Sequence, residues 1–353
     1  MKANFNINNL VRENIKSLKP YSSARDEYKD ATSKEMIFLD ANENPFENGV
    51  NRYPDPQQNN VKDLLSEIKG IDKKNILLGN GSDEVLDLLF RAFCEPNNDN
   101  VITLPPTYGM YGVLANINAI ENKQVLLSKD FQPRVSQILK AVDADSKMLF
   151  LCSPNNPTGN CFSVETVEKL LIKFKGLIIL DEAYIDFSEQ ESWLKKLAKF
   201  PNLVIIQTLS KAYGMAGIRL GACYASEEII KILNRIKPPY NVNELTQQRA
   251  INRLQKTQEV ANEIAQLKSE RKHLEKELEY CVSYIKKSYP SEGNFLLIKV
   301  DNASKRYQQL IEYGVVIRNR TNQPLCENCL RISIGTSEEN LKLIRALKAI
   351  SKF

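Results

Sequence analysis

Five short apolar runs punctuate the first two thirds of the chain, at residues 75–78, 101–104, 148–152, 177–180 and 203–206. None alternates with polar positions, which is the pattern of a strand buried on both faces. Helix-like spacers lie between them. SDEVLDLLFRAFC follows the first run. SVETVEKLLIKFKG opens on Ser163 as the expected N-cap and closes before Gly176 as the expected C-cap. Strands alternating with helices predict an α/β domain built on a doubly wound, mainly parallel sheet. In such sheets ligands sit beyond the carboxyl ends of the strands. The segments SPNNPTG, DEAY and TLSK follow the three central runs and are expected to converge there.

Further on, Val260, Ile264, Leu267, Leu274, Leu278, Cys281 and Ile285 recur at spacings of three, four or seven. A helix of about 39 Å follows at 1.5 Å per residue. Arg271 interrupts its seam, so packing on its own domain or bridging two lobes is preferred over coiled-coil pairing. FLLIKV, GVVIR and LRISI then read as strands, and Thr336 with Glu339 forms a capping box for a last helix. The expected organisation is an N-terminal arm (1–45) packing on the small domain, a large domain (46–255) and a smaller α/β domain (256–353). A long linking helix is expected at about 246–288.

At 353 residues and 42% hydrophobic content, the chain can bury a substantial core. Its net charge of +5 is spread without a dominant basic block, so nucleic acid is not an expected partner. No run reaches the roughly 18 apolar residues of a membrane span, and MKANFNINNL lacks the apolar core of a signal peptide. A cytoplasmic protein is expected. Seven cysteines are scattered, and only Cys326 and Cys329 form a CxxC. With His273 the single histidine, neither a structural zinc site nor a Ser-His-Asp triad is expected. His273, within RKHLEKELE, reads as a solvated helical residue.

Chemistry concentrates in TLSKAYGMAGIR, where Lys211 and Arg219 lie eight residues apart after a strand. Lysine forms Schiff bases, and an arginine fork matches a phosphate. Thr208 and Ser210 add hydroxyls, and Gly214 and Gly217 let backbone approach a ligand. Asp181 follows an apolar strand, at a depth where a carboxylate needs a cation or several donors. A protonated pyridine nitrogen is such a cation. A Walker-type Mg-binding aspartate would need GxxxxGK[ST] upstream, which the chain lacks. GNGSDE at 79–84 turns a strand into a helix whose free N–H groups suit an anion. Plain helix capping is the alternative, and Asp83 and Glu84 favour it if they point inward.

The motifs LDANENPF, NRYPDPQ, GNGSDEVLDLLFRAFCEP, PPTYGMY, CSPNNPTG, DEAYIDF, TLSKAYGMAGIRLG and CLRISIGT occur in this order from about residue 20 to 350. Together they resemble the fold-type I pyridoxal-phosphate aminotransferases, and within them the histidinol-phosphate aminotransferases of histidine biosynthesis. The resemblance implies pyridoxal 5'-phosphate as cofactor, bonded to Lys211, which also shuttles a proton. It places Asp181 on the pyridine nitrogen, Asn156 and Tyr184 on the ring oxygen, and Tyr108 on the ring face. Arg219, Thr208, Ser210 and the backbone at Ser82 and Asp83 would hold the cofactor phosphate. Tyr53 would reach the phosphate of a neighbouring subunit, which implies a homodimer with composite sites. Arg331, Arg318 and Tyr21 would bind the substrate phosphate, with Asn42 and Glu43 near its imidazole.

The implied reaction passes an amino group between two pairs, L-histidinol phosphate with its imidazole-acetol phosphate and glutamate with 2-oxoglutarate, in two half-reactions at one site. Other activities on the same scaffold stay open, because pocket chemistry rather than fold decides them. They are an aromatic aminotransferase and a phospho-amino-acid decarboxylase. A non-catalytic ligand-sensing regulator is the distant alternative.

Overall fold

The computed structural model describes residues 5–19, 37–281 and 283–351. Its large sheet has seven strands: β1 (Ile76–Asn80), β2 (Asn100–Thr103), β3 (Glu121–Gln124), β4 (Ser146–Cys152), β5 (Leu177–Asp181), β6 (Leu203–Thr208) and β7 (Leu220–Tyr224). Their spatial order is β1-β7-β6-β5-β4-β2-β3. Pairs among β2 to β6 are parallel, whereas β7 runs against both β1 and β6. The doubly wound reading therefore holds, with β3 and β7 as strands the apolar runs did not reveal.

Burial explains the unalternating runs. Leu149, Leu151, Ile178, Leu180, Leu203 and Ile205 pack into one apolar layer, while Met148, Phe150, Leu177, Ile179, Val204 and Ile206 pack into the layer on the opposite face. Both faces are covered by helices, so both parities of each strand must be apolar. Ser163 caps the helix Val164–Lys173 by accepting the Thr166 N–H, as expected. That helix ends at Phe174, however, and Gly176 has a different task. A Cβ there would lie 2.3 Å from the Lys147 carbonyl oxygen, so glycine lets the turn close against β4.

The smaller sheet is antiparallel, in the order β10-β11-β9-β8, with β8 (Ile285–Tyr289), β9 (Phe295–Val300), β10 (Arg318–Asn319) and β11 (Cys329–Ser333). Leu274, Leu278, Leu296, Ile298, Leu330, Ile332, Leu343 and Leu347 fill its core. The last helix, Ser337–Ile350, carries the expected capping box of Thr336 and Glu339.

Two expectations are corrected. The linking segment is not one helix over 246–288 but two, Glu244–Leu254 and Thr257–Cys281, and Ile285 opens β8 instead of extending the seam. Pairing with β9 overrides helical spacing there, and the β-prone Tyr284, Ile285 and Tyr289 suit it. The arm does not pack on the small domain over its described residues 5–19. Ile7, Val11 and Ile15 join the large domain's core, Arg12 bonds Glu95, and the Arg12 N–H donates to the Ala92 carbonyl.

Arg271, the break in the long helix's seam, is buried. Its guanidinium donates to the Gly293 carbonyl at 2.7 Å, tying the helix to the turn before β9. His273 is exposed, as expected. Tyr184, Phe187, Ala212 and Phe295 form a small apolar cluster between the two sheets, directly beside Lys211.

Candidate active site

The antiparallel course of β7 assembles one end of the site. Register pairs Leu220 with Asn80, and Gly221 with both Gly79 and Thr208. The start of β7 thus meets the carboxyl ends of β1 and β6, and Arg219 stands just before it. Arg219 adopts the left-handed conformation (φ 56), and its guanidinium lies over Gly81, where a Cβ would sit 2.7 Å from Nη2. Gly221 is equally constrained, since a Cβ there would lie 2.3 Å from the Ser82 nitrogen. These two glycines let a strand, an arginine and the N-terminus of the helix Ser82–Phe93 close on one point. No side chain caps that helix at Gly81.

Around that point, Thr208 Oγ1 donates to the Leu220 carbonyl and accepts the Ser210 N–H. Arg219 Nη1 lies 3.4 Å from Ser210 Oγ, and its Nη2 lies 3.5 Å from Asp83 Oδ2. Glu84 is turned aside: its carboxylate accepts from the Asn80 N–H and from Asn241 Nδ2 at 2.7 Å. Only Asp83 faces the cradle, and Arg219 offsets its charge.

Asp181 ends β5 in full burial. Its Oδ2 accepts the Tyr111 hydroxyl at 2.6 Å, and its Oδ1 accepts the Ala183 N–H at 3.1 Å. It makes no ion pair among the described residues, and burial pushes its carboxyl above the usual carboxylate range. Tyr108 stands edge-on to Tyr111, with ring centroids 5.5 Å apart, and its hydroxyl donates to Asp83 at 3.1 Å.

Lys211 is partly buried, with Nζ 5.7 Å from the Tyr184 ring centroid. Burial lowers its amine below the usual lysine range, and the charges of Arg331 and Arg219 act in the same direction against the pull of Asp181. The Tyr184 ring is held edge-on by Phe295 at 5.0 Å. Asn156 Oδ1 accepts from Arg331 Nη1 at 2.5 Å, across the two sheets. Arg331 on β11 faces Arg318 on β10.

A cavity of about 540 Å³ brings these residues together. Lys211, Asp181, Asn156, Tyr184, Tyr108, Thr208, Ser210, Arg219, Ser82, Asp83, Arg318 and Arg331 all line it. Tyr53 and Asn42 do not: they line a separate hollow of about 420 Å³, where Tyr53 stacks on Tyr240 with centroids 4.4 Å apart. Glu43 binds Arg52 and the Tyr53 N–H there. Tyr21 lies outside the described residues. A larger groove of about 1290 Å³, lined by Arg271, Glu275 and Tyr289, shares no residue with the Lys211 cavity.

The sequence reading missed two residues here. Tyr111, three positions after Tyr108 in PPTYGMY, lies behind the cavity wall, edge-on to Tyr108 and with its hydroxyl on Asp181. Arg320 is two after Arg318, the strand period, and lines the cavity too.

The family model for class I and II aminotransferases matches residues 24–347. The chain belongs to this family. It is 67% identical over 347 residues to a histidinol-phosphate aminotransferase of Flavobacterium johnsoniae, covering 98% of this chain and 99% of that one. Among solved structures, the histidinol-phosphate aminotransferase of Clostridium acetobutylicum matches with a TM-score of 0.79 and 26% identity, over 86% of this chain and 91% of that one. The Sinorhizobium meliloti enzyme, solved in complex with pyridoxal-5'-phosphate, shares the fold with a TM-score of 0.77 at 22% identity, over 85% and 83% of the two chains.

The family's cofactor is pyridoxal 5'-phosphate, and the cavity suits it. An uncapped helix N-terminus beside Arg219 meets the needs of a phosphate. A buried carboxylate with two donors and no cation meets those of a protonated ring nitrogen. A lysine with a lowered proton affinity lines the same cavity.

Proposed function

We propose that this aminotransferase interconverts L-histidinol phosphate and its imidazole-acetol phosphate ketone, with glutamate and 2-oxoglutarate as the second pair, as a step of histidine biosynthesis. The observation that carries this reading is the facing pair Arg318 and Arg331 in the Lys211 cavity, neither of which makes an ion pair among the described residues. Two uncompensated guanidinium groups call for an anionic ligand, and their forks fit a phosphate in bidentate fashion.

Bound pyridoxal phosphate supplies a carbonyl that takes up and returns the amino group, and a ring that accepts electron density from the substrate Cα. Arg219, Thr208, Ser210 and the N–H groups of Ser82 and Asp83 would hold its phosphate. Asp181 would keep a proton on its ring nitrogen. Asn156 and Tyr184 would bond its ring oxygen, with Tyr108 beside the ring. Lys211 would be its covalent anchor, and the lysine amine would move the proton at the substrate Cα. Its lowered proton affinity shifts that amine towards the neutral form, the form that acts as base and nucleophile. Arg331 and Arg318 would hold the substrate phosphate with the amino end towards Lys211.

The test is steady-state turnover of the purified protein with histidinol phosphate and 2-oxoglutarate. Glutamate should form, with the parallel double-reciprocal lines of two half-reactions sharing one site. No turnover with this pair, beside consumption of phenylalanine or release of CO₂ from threonine phosphate, would sink the substrate assignment.

The working unit in this reading is a homodimer in which Tyr53 reaches the partner subunit's cofactor phosphate. Tyr53 lies outside the Lys211 cavity of its own chain, beside Val50 in the second hollow, and the chain from 37 to 50 exposes Ile37, Leu39, Phe46 and Val50, apolar side chains of the kind dimers cover. Tyr53→Phe should weaken cofactor affinity about tenfold, the loss of one hydrogen bond to a charged group. Titration of the cofactor's absorbance checks this, with sedimentation confirming an unchanged assembly; unaltered affinity would remove Tyr53 from the site. No helix among the described residues is long and apolar enough to cross a membrane. Cys94, Cys152, Cys161, Cys223, Cys326 and Cys329 are free thiols, which suits the proposed cytoplasmic location.

A further inference from the structure

The cavity holds a third arginine that neither the cofactor nor the facing pair Arg318 and Arg331 accounts for. Arg320 follows Arg318 by two residues, and its N–H donates to the Cys329 carbonyl at 2.9 Å, continuing the pairing that sets Arg318 opposite Arg331. Alternation along this short ladder puts all three guanidinium groups on one side, and all three line the same cavity.

Arg320 lacks compensation. Its Nε is buried without a hydrogen-bond partner, as is that of Arg331, and no ion pair reaches either residue among the described ones. Seven buried side-chain polar atoms lack partners among the described residues, and four of them lie on Arg320, Thr321, Gln323 and Arg331. Such a concentration marks a place where a ligand completes the hydrogen bonding. Burial, together with Arg331 and Arg318, pushes the Arg320 guanidinium down to about 10. Three crowded cations need more than a single negative charge nearby. A phosphate monoester carries close to two at neutral pH and offers three acceptor oxygens; a carboxylate offers one charge and two.

We propose that Arg320 is a third phosphate-binding guanidinium beside Arg318 and Arg331, and that it sets the preference of this pocket for a phosphate monoester over a carboxylate or an uncharged end. The proposal rests on the phosphorylated substrate assigned above. In it, Arg318 and Arg331 suffice for a carboxylate, while the second charge and third oxygen of the ester engage Arg320.

The experiment compares two unreactive ligands on the intact holoenzyme, 3-(imidazol-4-yl)propyl phosphate and the corresponding alcohol, by isothermal titration with wild type, Arg320→Gln and Arg320→Lys. Arg320→Gln should bind the ester about thirtyfold more weakly, the scale of one or two charged hydrogen bonds, and the alcohol within about twofold of wild type. The KM for histidinol phosphate should rise in parallel, with kcat little changed. Arg320→Lys keeps the charge but loses the fork, so a loss of about fivefold for the ester alone is expected. Should Arg320→Gln fail to fold, the lysine variant decides by itself. Unchanged ester binding in the variants, or equal losses for both ligands, would overturn the role of Arg320. A wild-type enzyme that binds ester and alcohol alike would instead overturn the phosphorylated-substrate reading, and the proposal with it.

Discussion

Lys211→Ala should abolish transamination, lowering kcat on the order of 10⁵-fold, the scale reached when a nucleophile that acts as one unit with its neighbours is removed. The loss is chemical, because the side chain is not what holds the site together. Lys211 is only partly buried, and the cations Arg331 and Arg219 oppose its charge. Deleting it relieves that opposition, so the melting temperature of the cofactor-free variant should equal or exceed that of wild type. The pH dependence gives a second check. A lysine whose folded pKa lies below its unfolded value of about 10.4 makes the folded state bind fewer protons than the unfolded one. Stability of the cofactor-free wild type therefore gains a contribution as pH rises from that lowered pKa towards the unfolded value. The penalty is fully present below this window, and the variant should lack the rise. Turnover near wild type in Lys211→Ala, measured with histidinol phosphate and 2-oxoglutarate, would defeat the assignment.

Lys211 was legible because it sits in a short motif at a strand end, where residue type and position carry the information together. Its companions were legible unequally. Asp181 follows an apolar run that could only be buried, and a buried carboxylate announces a partner. The run itself says nothing of the hydroxyl that meets it: Tyr111 reaches Asp181 from a helix 70 residues earlier in the chain. Nor does sequence reveal strand direction. Residues 220–224 (LGACY) did not stand out as an apolar run, yet only their antiparallel course brings Arg219 back beside Ser82 and explains why Gly81 and Gly221 must lack a Cβ. The arm and the linking helix failed for a related reason. Ile7, Val11 and Ile15 recur at a helical spacing that says they are buried but not against what, and Ile285 fits both a helical and a strand period until β9 claims it. Arg320 carries no signal of its own in the sequence, since Arg318 and Arg331 already satisfy the expected ligand.

Asp181→Asn should lower kcat by about 1000-fold, comparable to the loss of a preorganised electrostatic contact in a dry site. The substitution preserves shape: the amide oxygen can accept the Ala183 N–H while the amide NH2 donates to the reversed Tyr111 hydroxyl, so both contacts remain and the charge is removed. Two consequences separate this from simple damage. In the cofactor-free chain, burial raises the Asp181 pKa above its unfolded value, so the folded state binds more protons than the unfolded one. Stability then falls as pH rises from the unfolded value of about 3.9 through the raised folded pKa, and the full penalty is present above it. Asparagine carries no such penalty, so the cofactor-free variant should melt at a higher temperature than wild type at neutral pH. With cofactor the order should reverse. In the proposed site the ring nitrogen's proton would find a carboxylate, pairing the buried charge; in the variant it would find a neutral amide, so the gain in melting temperature on adding pyridoxal phosphate should shrink. Scanning calorimetry of both proteins with and without cofactor checks the crossing. An Asp181→Asn protein less stable than wild type in both states would mean that the carboxylate serves the fold rather than the ring.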